Sequence, residues 1–105
     1  MEKTLHSLSP LVFDLLPLAN GKGSTALFCW LVQQDGTVSK NVLLTAREGH
    51  GLPERTARRA LAELVRIGLV DEKNDGERKW QTVIDIPEEL FPYNHMSVMQ
   101  WRKRR

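Results

Sequence analysis

Gly51-Leu52-Pro53-Glu54-Arg55-Thr56-Ala57-Arg58-Arg59-Ala60-Leu61-Ala62-Glu63-Leu64-Val65-Arg66-Ile67-Gly68-Leu69-Val70 is the stretch on which the reading of this chain turns. Residues 53–67 read as one amphipathic helix. Ala57, Leu61 and Leu64 recur at i, i+4 and i+7, with Ala60 and Ile67 beside them, which makes one apolar stripe. Glu54, Arg55, Arg58 and Arg59 fall off that stripe, in the first two turns. Pro53 suits a helix start, where its missing N–H leaves no bond unmade. Gly68 suits the position just past the last turn. A helix with a small apolar underside and arginines near its N-terminus is shaped to lie in a DNA groove. Its guanidinium groups reach phosphates and guanine edges while the alanines let it pack closely on its own domain.

The segment before this helix has the form that such a reading requires. Residues 40–47 read as a helix, capped by Ser39, with Val42, Leu43 and Ala46 as its inner face. Glu48-Gly49-His50-Gly51-Leu52 is a turn whose two glycines can redirect the chain sharply. Helix, short glycine-containing turn and helix together form a helix-turn-helix. After it, residues 69–73 and 79–86 read as two strands, joined by Asn74-Asp75-Gly76-Glu77-Arg78 with Asp-Gly as the turn former. Trp80, Thr82, Ile84 and Ile86 alternate onto one face of the second strand, with Val83 on the other.

The run Pro53-x-x-Thr56-Ala57-x-Arg59-x-Leu61-x-x-Leu64-x-x-x-Gly68-Leu69-Val70, followed by a charged hairpin, resembles the winged helix-turn-helix family. The resemblance covers about half the chain closely and, with the preceding helices, most of it. It implies a mainly α-helical fold with a small β-hairpin, made of a three-helix core and a wing, to which this chain would add extra terminal helices. It implies double-stranded DNA as partner, with Pro53, Glu54, Arg55, Thr56, Arg58 and Arg59 on the recognition helix. Lys73, Arg78 and Lys79 would serve the wing, and Lys40 the DNA backbone. Asp75 and Glu77 at the wing tip oppose phosphate approach and favour a merely solvated hairpin. The chain departs from the family in carrying Pro53 where many members cap the helix with Ser or Thr. Winged helices repress transcription, start replication, partition plasmids or bind only protein, so the resemblance is more specific for fold than for function.

The remaining segments frame this core, which is expected to span residues 24–86 of a single domain covering 1–105. Leu8, Leu11, Val12, Leu15 and Leu16 have helical spacing, with Ser9 as cap, Pro10 at the first position, and Leu8 and Phe13 placed as a hydrophobic staple. Pro17 ends or kinks this helix. It either caps the core or joins a dimer interface. Asn20-Gly21-Lys22-Gly23-Ser24 superficially matches a phosphate-binding loop, but Gly23 intervenes between Lys22 and Ser24 and no strand precedes. It reads instead as a helix connection with Ser24 as N-cap. Residues 24–34 are dense in apolar groups (Leu27, Phe28, Trp30, Leu31, Val32), so that helix is buried on several sides, with Cys29 as a small core residue. Asp35-Gly36 is a turn, and Thr37-Val38-Ser39 fits a brief strand paired with the wing. Residues 87–93 hold two prolines and make a turn or a single helical turn. Residues 94–105 can form a short helix ending in Arg102-Lys103-Arg104-Arg105, as a frayed tail, a dimer contact through Met96, Met99 and Trp101, or a basic arm.

Composition constrains function more by exclusion. The formal net charge is +2 and the pI about 8.9, which permits nucleic-acid binding without demanding it. The lone Cys29 rules out an internal disulfide and fits a reducing cytoplasm, bacterial or nucleoid-associated. There is no signal-peptide pattern and no stretch of membrane-spanning length. His6, His50 and His95 are scattered, with no second ligand at metal spacing. No nucleophile motif or glycine-rich cofactor loop is present, so the chain reads as a non-enzyme with neither metal nor cofactor. The expected function is sequence-specific DNA binding by a homodimer, as a transcriptional regulator. The alternatives are a component of plasmid or phage replication or partition, and a protein-interaction module. The arginines at 55, 58, 59 and 66 favour DNA over the last of these.

Overall fold

The structure, a computed structural model, describes residues 10–34, 37–74, 82–87 and 90. The order of elements is α1 (Leu11–Leu15), a 3-10 turn (Leu16–Leu18), α2 (Ser24–Gln33), β1 (Val38–Ser39), α3 (Lys40–Thr45), α4 (Arg47–His50), α5 (Glu54–Ile67), β2 (Asp71–Asn74) and β3 (Thr82–Asp85). The sheet is antiparallel, in the order β1-β3-β2. Val38 faces Ile84 across one ladder, and Glu72 faces Ile84 across the other. The short segment before α3 is therefore the third strand of the wing, as its position suggested.

One apolar cluster holds these elements together. Ala57, Ala60, Leu61, Leu64 and Ile67 of α5 are buried, matching the stripe read from the sequence. They join Leu27, Phe28, Leu31 and Val32 of α2, Leu43 and Leu44 of α3, and Ile84 of β3. Helix α5 stops where Gly68 turns left-handed at φ +87°. There the Gly68 and Leu69 amides donate to the carbonyls of Val65 and Leu64. This is a Schellman ending, which only a residue without a Cβ forms without strain.

Several local expectations are corrected. Ser24 does not cap α2. It is the first helical residue, and Gly23, at φ +89°, holds the cap position without a side-chain bond. Pro53 is the residue before α5 rather than its first. The helix expected over 40–47 ends at Thr45, and a separate turn, α4, runs from Arg47 to His50. Ser39 does cap α3, its Oγ accepting from the Val42 amide at 3.3 Å. The inner face of α3 is Leu43 and Leu44, and Val42 is 54% exposed. The short α3 rotates Val42 outward because Leu44, one residue beyond Leu43, takes its place against the core. Leu69 and Val70 do not begin the wing. They are fully buried between α5 and β2, and strand pairing starts at Asp71.

The N-terminal segment is part of the core. Leu11, Val12 and Leu15 are 2%, 1% and 0% exposed within the single chain, as is Leu90 at 0%. The apolar face that could have served a dimer is thus spent internally, leaving Phe13 (59%) and Leu18 (37%) outside. Pro17 converts α1 into a 3-10 turn rather than ending the chain's helicity at once. Leu90 closes a turn onto the Pro87 carbonyl. Ser9 and Leu8, Asp35-Gly36, the hairpin tip with Arg78, Lys79 and Trp80 of the expected second strand, and residues 94–105 lie outside the described residues.

Candidate nucleic-acid interface

On α5, residues 55, 58 and 59 are spaced i, i+3 and i+4, which places them on one side of the helix. Arg55, Arg58 and Arg59 are all exposed, while Ala57, Ala60 and Leu61 between them are buried. The core-facing and outward faces of α5 are therefore cleanly separated. Glu54 opens the helix, favourably placed at the positive end of its dipole, and its carboxylate lies 3.6 Å from Arg58. Both partners are more than half exposed, so this pair contributes little stability and yields readily to another anion.

The fourth arginine of α5 is differently engaged. Arg66 donates from Nη2 to the Leu18 carbonyl at 2.9 Å and forms a forked contact with Glu63, from Nε to Oε2 and from Nη2 to Oε1, each at 3.0 Å. The Asn20 amide donates to the same carboxylate at 2.7 Å. These bonds, the Arg66 contact first and Asn20 next, hold the Glu63 carboxyl below the usual carboxylate range. Reciprocally, Glu63 holds the Arg66 guanidinium above its ordinary value. Arg66 is a clasp between α5 and the segment after α1, which sets it apart from the exposed Arg55, Arg58 and Arg59.

Lys40, expected at the DNA backbone, pairs with Glu72 on β2 at 3.1 Å. It joins the start of the helix-turn-helix to the wing. Lys73 is exposed on β2, and Arg78 and Lys79 fall outside the described residues. Thr56 is half-buried rather than free. A Cβ placed on Gly23 would come within 3.4 Å of its methyl and 2.9 Å of the Leu52 side chain. The 20–24 loop thus lies beside the first turn of α5, with Lys22 exposed next to it. Arg47, exposed at the start of α4, was passed over in the sequence because it looked like the end of the previous helix.

The residue that sequence reasoning missed most clearly is His50. It is 6% exposed. Its Nδ1 accepts from the Leu52 amide at 3.1 Å, and its Nε2 lies 2.6 Å from the Leu43 carbonyl. An amide can only donate, so Nδ1 carries the lone pair and Nε2 the proton given to Leu43. The ring meets Trp30 edge-on at 5.4 Å between centroids. Gly49 makes this possible, because a Cβ there would collide with the Trp30 indole Nε1. Nothing in the spacing of His50 marks it, since its partners are both backbone groups.

No protein-family model and no curated protein matches the sequence. The structure is similar to the crystal structure of the PcaV transcriptional regulator from Streptomyces coelicolor in complex with its natural ligand, with a TM-score of 0.52. The match has 20% sequence identity and covers 75% of this chain. This is a winged-helix fold. The helices α3 to α5 form its helix-turn-helix and the three-stranded sheet its wing. The chain spans about half the length of that regulator, 53%. Among the described residues no helix is long and apolar enough to cross a membrane, and no cluster of His, Cys, Asp and Glu could hold a metal ion.

Proposed function

We propose that this winged helix binds double-stranded DNA and regulates transcription, with α5 in the major groove. The observation that carries this reading is the exposed set Arg55, Arg58 and Arg59, opposite the buried Ala57, Ala60 and Leu61 on the same helix. A protein-binding winged helix has no need of three unburied guanidinium groups on that face. Arg55, nearest the helix start, is assigned to base edges and Arg59 to phosphate, because the N-terminal turn of a recognition helix penetrates deepest. Lys73 on β2 is assigned to the flanking backbone, as are Arg78 and Lys79 from their place in the sequence. The similarity to PcaV supports a regulator of transcription over a role in replication or partition.

A homodimer on two half-sites is part of the proposal, since one such domain offers few base contacts. Leu11, Val12 and Leu15 are unavailable for it, so the interface falls to Phe13, Leu18 and the terminal residues. Sedimentation with and without DNA tests this part separately. A chain that stays monomeric at tens of micromolar in both conditions ends it.

Selection of preferred sites from random duplexes, followed by salt-dependent affinity measurements, tests DNA binding itself. Replacing Arg55 by Ala is expected to cost about 1–3 kcal/mol on the selected site and to relax one base position. Replacing Arg59 by Ala weakens all sequences alike and lowers the salt slope by about one. A folded variant lacking all three arginines that still binds as the parent does rejects the proposal.

A further inference from the structure

The start of α5 is secured in an unusual way. Pro53, in the cap position, makes no side-chain bond to the helix and has no N–H of its own. Neither of the usual devices, a capping hydroxyl or carboxylamide, fixes where the recognition helix begins. The chain reaches Pro53 from His50 through Gly51, at φ +76°, and Leu52. Two polar anchors hold that short connection: the Gly51 amide donates to the Arg47 carbonyl at 2.8 Å, and nearer to α5 the Leu52 amide donates to His50 Nδ1. His50 is itself held by the Leu43 carbonyl and the Trp30 ring, so it is fixed to α3 and α2. We propose that His50 is a positioning residue for DNA recognition: through Nδ1 it sets the direction in which α5 leaves the turn, and hence where Arg55 meets a base. This rests on the DNA-binding reading above.

The two ring nitrogens can be separated chemically. His50→Asn places Oδ1 where Nδ1 stands and keeps the Leu52 bond while losing Leu43. His50→Gln places Nε2 where the ring Nε2 stands and keeps Leu43 while losing Leu52. A purely structural histidine would lower stability in both variants and leave discrimination between selected and random DNA unchanged in whatever remains folded. A positioning role predicts an asymmetry. His50→Gln loses about five- to tenfold of that discrimination, the share of one part-buried hydrogen bond, with the salt slope unchanged. His50→Asn keeps it.

The wild-type chain supplies a readout that needs neither variant nor DNA. Long-range nitrogen–proton correlation spectra should show Nδ1 unprotonated and scalar-coupled to the Leu52 amide, with the proton on Nε2. A proton on Nδ1, or equal discrimination in both variants and the parent, overturns the positioning role. A wild-type chain that shows the coupling but binds no duplex overturns the DNA reading and leaves the local geometry standing, so the two failures are distinguishable.

Discussion

Arg66 donates a hydrogen bond to the backbone carbonyl of Leu18 at 2.9 Å, across 48 positions of sequence. The same guanidinium holds Glu63, whose carboxylate in turn accepts from the Asn20 amide. This clasp joins the last turns of α5 to the segment after α1. The Glu63 carboxyl is held low in the folded state, so its contribution is complete above the ordinary carboxylate range. It is lost as pH falls through the lowered folded value. Acid titration of stability should therefore slope downward there, and Glu63→Gln should flatten part of that slope. Arg66→Ala should mobilise residues 16–20 in hydrogen exchange and leave the salt slope of DNA binding unchanged. A reduced slope would return Arg66 to the DNA-facing set.

Leu15 and Leu61 test how far the core extends. Both are essentially inaccessible, at 0% and 1%. Each substitution to Ala is expected to cost about 2–5 kcal/mol in urea titration, from lost burial and the cavity left behind. Phe13→Ala, at an exposed site on the same short helix as Leu15, should change stability by about half a kcal/mol or less. A small loss at Leu15 would mean that α1 is appended to the core rather than part of it.

The helical phase of α5 was legible because its pattern is long and periodic: Ala57, Leu61 and Leu64 repeat at a spacing that only one conformation buries together. The arginine face followed from the same phase. The second wing strand could be read from alternation at Thr82 and Ile84, whereas the start of the first was misplaced because Leu69 and Val70 are apolar and belong to the core. What was not legible is short or nonlocal. Val42 and Leu44 are both apolar and one turn of helix gives no phase to choose between them. Arg66 and Lys40 carry the same positive charge as Arg59, and only the partners Leu18, Glu63 and Glu72 distinguish them. His50 bonds to main-chain groups, which carry no sequence signature.

The ion pair between Lys40 and Glu72 leads to a prediction of opposite sign to most charge substitutions. Glu72→Gln removes the carboxylate and frees the ammonium toward any phosphate near the wing. Affinity for DNA should rise, and the salt dependence should steepen by about one counterion. Anisotropy measured over a salt series reads both quantities. An unchanged slope would show that Lys40 lies out of reach of the duplex.

Ser24 buries its hydroxyl at 6% exposure with no hydrogen-bond partner in the described structure. An unpaired buried hydroxyl costs about 1–3 kcal/mol, and Ala is the better helix former. Ser24→Ala is expected to raise the thermal midpoint, as calorimetry can measure. A fall would indicate that Oγ is satisfied by a bound water that alanine displaces.

The pairing of Val38 with Ile84 encloses α3, α4, α5 and β2 within one loop of chain. That loop cannot close until its contents have shortened it, since bringing distant strands together through an extended chain is entropically slow. Assembly should then run from the packing of α2 against α5 toward the sheet, with β1 docking last. Stopped-flow kinetics would register this order. Leu61→Ala should chiefly slow folding, whereas Val38→Ala should leave folding nearly unchanged and speed unfolding. The strand that begins the helix-turn-helix would then be the first to detach under load, exposing the wing edge while the arginine-bearing helix is still in place.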